Sequence, residues 1–236
     1  MQPYVERWAE SLQELGEPAR GLRFDIQGGG SSAGVRAVRE GAAVIGMSSR
    51  DLETAERTGL RRFEVARDAI AVIVHRQNQL PALTAEQLAA VFAGHVQSWT
   101  HLGVTGSHIT VISREEGSGT RSAFESLAMR GLAITPRALV QDAAGAIREL
   151  VANDPAAIGY ISLGLVDERV RAVPLAGAAP SEQAVRTGRY PLVRPFLLLV
   201  RDPGADVPIG ARQFLDFVLS ASGQEIARRE GLLPVE

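Results

Sequence analysis

Ile112-Ser113-Arg114-Glu115-Glu116-Gly117-Ser118-Gly119-Thr120-Arg121 is the stretch on which the reading of this chain turns. Ile109 to Ser113 reads as a strand. Beyond Thr120, Phe124, Leu127 and Ala128 recur at helical spacing and the pattern ends near Gly131, so this part reads as a helix. A Gly-rich turn joins the two. A helix start exposes unpaired backbone N–H groups and carries part of a positive charge from the helix dipole. Glycines let an oxyanion come close to the backbone, Ser118 and Thr120 add hydroxyl donors, and Arg114 adds a planar fork matched to an oxyanion. Arg, Ser, Gly and Thr packed onto one strand-to-helix turn form a cradle for a tetrahedral anion.

The same arrangement occurs earlier. Leu22 to Gln27 reads as a short strand with Phe24 and Ile26 on one face. Gly28-Gly29-Gly30-Ser31-Ser32 follows, then a helix through Val35 and Val38 that stops at Gly41. A Gly-Ser-Ser before a helix also serves as a plain N-cap, and an isolated Arg is commonly a solvated charge. Gly30-Ser31-Ser32-Ala33-Gly34 additionally fits G-x-S-x-G, with Ser32 in the place of a hydrolase nucleophile. That plan needs a histidine late in the chain, whereas the four histidines are His75, His95, His101 and His108. None has H-E-x-x-H metal spacing.

Outward from the two turns, short apolar runs alternate with helical patterns, the mark of α/β construction. Pro3 to Leu15 reads as an amphipathic helix and Ala43 to Met47 as a short strand. Ala69 to His75 is apolar on both faces, as a buried central strand requires. Thr84-Ala85-Glu86-Gln87 has capping-box spacing before a helix with Leu88, Val91 and Phe92. A helix around Ile147, Leu150 and Val151 precedes a strand at Ala157 to Ser162. Pro195 to Val200 is the last buried strand; Phe214, Leu215 and Val218 mark the last long helix, which is followed by Gly223.

Composition removes several function classes. The 236 residues are 45% hydrophobic and 22% charged with a net charge of −2, ordinary values for a globular protein and no basic surplus for nucleic acid. All the basic residues are Arg. Without Lys there is no Walker P-loop, pyridoxal Schiff base, kinase nucleotide lysine or S-x-x-K motif. Without Cys there is no disulfide, thiol nucleophile or cysteine metal site. No run of 18 apolar residues suits a membrane span, and Met1-Gln2-Pro3-Tyr4-Val5-Glu6-Arg7 is not a signal peptide.

The chain resembles the periplasmic phosphate-binding proteins of bacterial high-affinity phosphate ABC transporters. The resemblance rests on Gly28 to Gly34, Ile45-Gly46-Met47-Ser48-Ser49-Arg50, Arg67 to Val74, Leu83 to Leu88 and, most specifically, Ile112 to Arg121. Ala157 to Ser162, Tyr190-Pro191-Leu192 and Ser222-Gly223-Gln224 follow in the family's order. It implies the two-lobed α/β fold of type II periplasmic binding proteins, with ligand in a cleft between the lobes. Lobe one is expected at 1–73 plus 193–236 and lobe two at 74–192.

Carried over by position, Ser31 or Ser32 donates to phosphate from lobe one, while Arg114, Ser118, Gly119 and Thr120 bind from lobe two. Ser48 and Ser49 are further candidate phosphate ligands; Ser49 stands where some branches carry a carboxylate, and Asp68 is the candidate carboxylate here. A carboxylate accepts a hydrogen bond from protonated phosphate and repels fully ionised sulfate; its alternative is a structural pairing with an Arg. Arg50 is either a second cleft cation or a partner of Asp51 or Asp68. Tyr160 and Gln224 fit the family pattern without a derivable role, Tyr160 as packing.

Family members begin with a strand and a Gly-Ser/Thr-rich loop, whereas this chain starts inside its first helix, so a chain shortened at its N-terminus is expected. The implied function is a non-enzymatic, monomeric, extracytoplasmic protein that captures inorganic phosphate and delivers it to membrane permease subunits, without cofactor or metal. The alternatives are another oxyanion (molybdate, tungstate or sulfate), a phosphate-sensing domain and a serine hydrolase using Ser32.

Overall fold

Val5, Trp8 and Leu12 recur at helical spacing and give the first helix one buried face, with Tyr4 and Ala9 completing it. The computed structural model describes residues 1–14, 22–106, 108–202 and 207–235. Its elements run α1 (Gln2–Glu14), α2 (Gly30–Glu40), β1 (Gly46–Ser48), α3 (Thr54–Arg57), β2 (Leu60–His75) and α4 (Ala85–Phe92). Then come β3 (Thr110–Arg114), α5 (Gly119–Ala128), β4 (Leu139–Gln141), α6 (Ala144–Asn153), β5 (Ala157–Ser162) and β6 (Val170–Ala172). The chain closes with α7 (Glu182–Arg186), β7 (Val193–Arg201), α8 (Ile209–Leu219) and α9 (Ala221–Arg229). The fold is α/β, as expected, in two compact units: Met1–Arg67 with Arg194–Glu236, and Asp68–Val193. The chain passes from one unit to the other within β2 and at the start of β7.

In the first unit β1 pairs antiparallel with β7, Met47 opposite Leu198. The core holds Trp8, Leu12, Val65, Phe196, Leu198, Phe214 and Val218. The Trp8 indole N–H is not wasted by burial, since it donates to the Gly223 carbonyl at 2.8 Å. Gln224, roleless in sequence, ties this unit together: its amide donates to the Val65 and Val218 carbonyls and its Oε1 accepts from Val235 N.

One sequence expectation is corrected here and another extended. Residues 22–27 alternate as a strand would, with Leu22, Phe24 and Ile26 packed against the core, yet they carry no strand pairing among the described residues. One apolar face can be satisfied by packing alone; a strand also needs a partner edge. Gly223 follows the long helix α8 as expected, but inside a further helix, α9. Ser220 ends α8 and caps α9, accepting from Gly223 N at 3.3 Å. Gly223 sits inside α9 because a Cβ there would lie 2.2 Å from the Phe217 carbonyl.

Other elements agree with the pattern and differ at their ends. The expected strand at 43–47 forms at Gly46–Ser48, and 69–75 is the end of the much longer β2. Leu15, expected in the first helix, lies outside the described residues. Thr84 and Gln87 do form the capping box of α4. Leu127 is exposed, while Phe124 and Ala128 carry the buried face of α5.

In the second unit β5 is buried at every residue, between β2 (antiparallel) and β3 (parallel), with β4 parallel on the far side of β3. Parallel β3 therefore delivers its carboxyl end, Arg114, to the turn that starts α5. This is the place where α/β sheets hold ligands.

Glycines set the approach of helix to strand in both units. A Cβ on Gly34 would lie 2.4 Å from the Met47 carbonyl, and one on Gly46 would lie 2.5 Å from the Gly34 carbonyl. Gly34 thus belongs to α2–β1 packing. Gly34→Ala is expected to lower unfolding free energy by about 1–3 kcal/mol, overpacking outweighing the gain in helix propensity. Gly145→Ala in α6, where an added Cβ meets nothing within 4 Å, is expected to be neutral or to stabilise by up to about 1 kcal/mol. Urea midpoints of the two variants check both signs.

Candidate functional site

In the first unit the candidate turn is the start of α2. Gly29 is its N-cap, Gly29 and Gly30 have φ of 153° and 81°, and no side chain caps the helix. Only glycine adopts such a bend cheaply. The first turn also lacks an acidic residue, so its N–H groups meet no carboxylate of their own.

Hydroxyls surround this turn in defined roles. Ser31 Oγ is buried and accepts from Ser49 N at 3.0 Å, with Ser49 Oγ 3.4 Å away. Ser32 is exposed and its Oγ accepts from Arg50 Nη2 at 3.4 Å. A hydroxyl that already accepts from the protein keeps its proton to donate. Ser48 faces inward: fully buried, its Oγ donates to the Arg50 carbonyl at 2.9 Å. The Ser49 carbonyl accepts from Arg194 Nη1 at 3.4 Å. The fold thus brings Ser31, Ser32 and Ser49 together and gives Ser48 to the backbone beneath them.

Arg50 is a buried cation beside this turn, and its carboxylate is neither Asp51 nor Asp68. Nη1 and Nη2 fork onto Glu56 at 2.7 and 2.8 Å, while Nη1 also donates to the Asp51 carbonyl at 2.9 Å. The hydrogen bond from Arg50 holds the Glu56 carboxyl below its ordinary range against the opposing effect of burial. The hydrogen bond to Glu56 likewise raises Arg50. Glu56 was missed in the sequence because a four-residue helix, α3, carries it back toward Arg50. Its only signal was the Glu53–Glu56 capping spacing, which the structure confirms.

In the second unit the candidate turn joins β3 to α5. Gly117 bends it with φ 85°. Ser118 is the N-cap of α5; its buried Oγ accepts from Arg121 N at 3.3 Å, again leaving a hydroxyl proton to donate. Gly119 and Thr120 form the buried first turn. Arg114 places Nε and Nη2 on the Glu115 carboxylate at 2.8 and 2.9 Å, and Nη2 also donates to the Asp142 carbonyl at 2.8 Å. Asp68 is fully buried in this unit and its Oδ1 accepts from Ser162 Oγ at 2.7 Å. Tyr160 is buried, as packing requires, but its hydroxyl reaches Ser113 Oγ at 2.8 Å and accepts from Arg114 N at 3.3 Å.

The contacts of Ser32 give its nucleophile reading no support. All four histidines belong to the other unit's stretch of chain. The group bonded to Ser32 Oγ is a guanidinium, which donates and cannot take the proton. Among the described residues no group of three or more His, Cys, Asp or Glu could hold a metal ion, and no helix is long and apolar enough to cross a membrane.

Residues 1–222 match the family model of the PBP superfamily domain. The chain is 30% identical over 240 residues to the phosphate-binding protein PstS of Bacillus subtilis, covering 100% of this chain and 78% of that one. It is 30% identical to the PstS of Pseudomonas aeruginosa, covering 97% and 78%. A chain from Clostridium perfringens, assigned as a phosphate ABC transporter substrate-binding protein and solved with bound phosphate, superposes with a TM-score of 0.92 at 36% identity. That match covers 100% of this chain and 96% of the other. An ABC-type phosphate transport receptor from Vibrio cholerae gives 0.84 at 32% identity, over 98% and 96%.

The Arg50–Glu56 pair has a pH signature. Glu56 is lowered on folding, so its contribution is fully present above its ordinary pKa of 4.5 and is lost as pH falls through the lower folded value. Glu56→Gln is expected to be less stable than the parent at pH 7, with the gap narrowing below about pH 4 as the parent carboxylate protonates. Urea unfolding at pH 7 and pH 3.5 measures the gap.

Proposed function

This chain belongs to the PBP superfamily and to the phosphate-binding family of its PstS relatives, and on that footing we propose that it is a solute-binding protein that captures inorganic phosphate for uptake by an ABC transporter. The observation that carries the reading is the β3–α5 turn. Arg114, Ser118, Gly119 and Thr120 present a guanidinium, a hydroxyl and first-turn N–H groups at the carboxyl end of a parallel strand. The full-length likeness to a chain with bound phosphate supports it.

In this reading each compact unit is one lobe and each supplies donors. Ser31, Ser32 and the uncapped start of α2 donate from the first, with Ser49 beside them and Ser48 holding the backbone below. Arg114, Ser118, Gly119 and Thr120 donate from the second. A dehydrated oxyanion needs such pre-aimed donors, because mobile side chains or water would have to be reorganised at the moment of binding. Asp68 supplies the opposite chemistry, an acceptor. It favours a ligand that still carries a proton and repels fully ionised sulfate. The protein binds rather than catalyses, works as a monomer at the extracytoplasmic face, and hands its ligand to membrane permease subunits.

Isothermal titration calorimetry tests the reading. Phosphate is expected to bind and sulfate to bind far more weakly. Arg114→Ala removes a charge-assisted donor and is expected to weaken phosphate by about one to two decades. Asp68→Asn is expected to weaken phosphate and to narrow the gap to sulfate. Equal binding of both anions by the parent chain would exclude a phosphate-selective protein.

A further inference from the structure

Arg114 is aimed through its backbone, and the groups that hold that backbone lie outside the proposed set of phosphate donors. The recorded β3–β5 pairing covers Thr110 and Val111, opposite Ala157 and Ile158. At the end of β3, the Arg114 N–H is taken up by the Tyr160 hydroxyl of β5 at 3.3 Å, and the same hydroxyl bonds Ser113 Oγ at 2.8 Å. The other side of the same residue is held as well. Arg121 Nη1, from α5, donates to the Arg114 carbonyl at 3.1 Å. Arg121 Nε is itself anchored on Glu125 at 3.0 Å, one helical turn on.

The tyrosine arm is held by packing. The Tyr160 ring is fully buried and stacks on Phe124 of α5, centroids 4.0 Å apart and planes within 3°. Phe92 of α4 packs edge-on against Phe124 at 4.7 Å. One tyrosine therefore touches the end of β3 through its hydroxyl and the body of α5 through its ring. These are the two elements whose meeting forms the anion turn. Arg121 closes the circuit from α5 back to β3.

We infer that Tyr160 and Arg121 are positioning residues that clamp the Arg114 backbone from its N–H and its carbonyl, and so set the direction of the guanidinium that meets the anion. The inference rests on the phosphate-binding reading. A misdirected charge-assisted donor loses much of its strength, because a hydrogen bond weakens steeply with angle.

The test uses the full chain, inorganic phosphate and two readouts. Tyr160→Phe keeps the ring stack and removes the hydroxyl; Arg121→Ala removes the second arm. Each is expected to weaken phosphate about three- to tenfold by calorimetry, well below every variant's melting temperature. The double variant is expected to lose less than the product of the two, since both arms hold one residue. Ile147→Val, in the buried core of the same unit, is the stability control: it is expected to lower the melting temperature and leave affinity unchanged. Hydrogen exchange at the Arg114 amide is expected to quicken in Tyr160→Phe and not in Ile147→Val. Wild-type affinity in both Tyr160→Phe and Arg121→Ala, or an unchanged Arg114 amide, would overturn the clamp. A parent chain that binds no phosphate would instead overturn the functional reading and the clamp's part in binding with it. The amide measurement still separates the two failures.

Discussion

Unpaired N–H groups at a helix start are the constraint around which this molecule is organised. They cannot be buried without an acceptor, and an oxyanion is an acceptor with several lone pairs to offer. At α2 the fold leaves the first turn without any side-chain cap. At α5 it spends one hydroxyl, Ser118, on a single N–H and leaves the rest of the turn buried beside Arg114. Much else in both units serves to keep these two starts where they are.

Hydrogen-bond direction carries the next layer. Ser32 and Ser118 accept from Arg50 and Arg121 N, so each retains a proton to give, while Ser31 accepts from Ser49 N and also pairs with Ser49 Oγ. The two cations are restrained by carboxylates, Arg50 by Glu56 and Arg114 by Glu115. Such pairing orients a guanidinium and offsets its charge while N–H groups outside the fork stay available. Buried ion pairs contribute little net stability, but their geometry is well defined. In the proposed reading the definition matters more than the energy, because an anion out of water has no tolerance for misplaced donors.

Packing supplies the rigidity behind those directions. Gly34 and Gly46 let α2 lie directly on β1, which brings Ser31 within reach of Ser49. In the second unit Phe92, Phe124 and Tyr160 form one aromatic cluster beneath the anion turn. A residue read from sequence as mere packing, Tyr160, turns out to carry a polar end at the place where packing and site meet.

Local signals were legible in the linear chain because their causes are local. The Gly-Ser turns, the Thr84–Gln87 capping box, the Gly41 stop and the apolar run of β5 each follow from a few neighbouring residues, and each formed. Arg114, Ser118, Gly119 and Thr120 stood out because that cradle is written in consecutive residues. What the sequence could not settle were pairings that cross the chain. Whether residues 22–27 find a strand partner, whether Gly223 stops a helix or fits a helix–helix corner, and whether Arg50 meets Asp51, Asp68 or Glu56 depend on which surfaces folding brings together. Periodicity and turn chemistry therefore determined the α/β character and both Gly-rich helix-start turns. Only the tertiary structure decided which hydroxyls keep a proton to donate and which groups aim the arginines, because a hydrogen bond's direction is set by partners that sequence spacing does not specify.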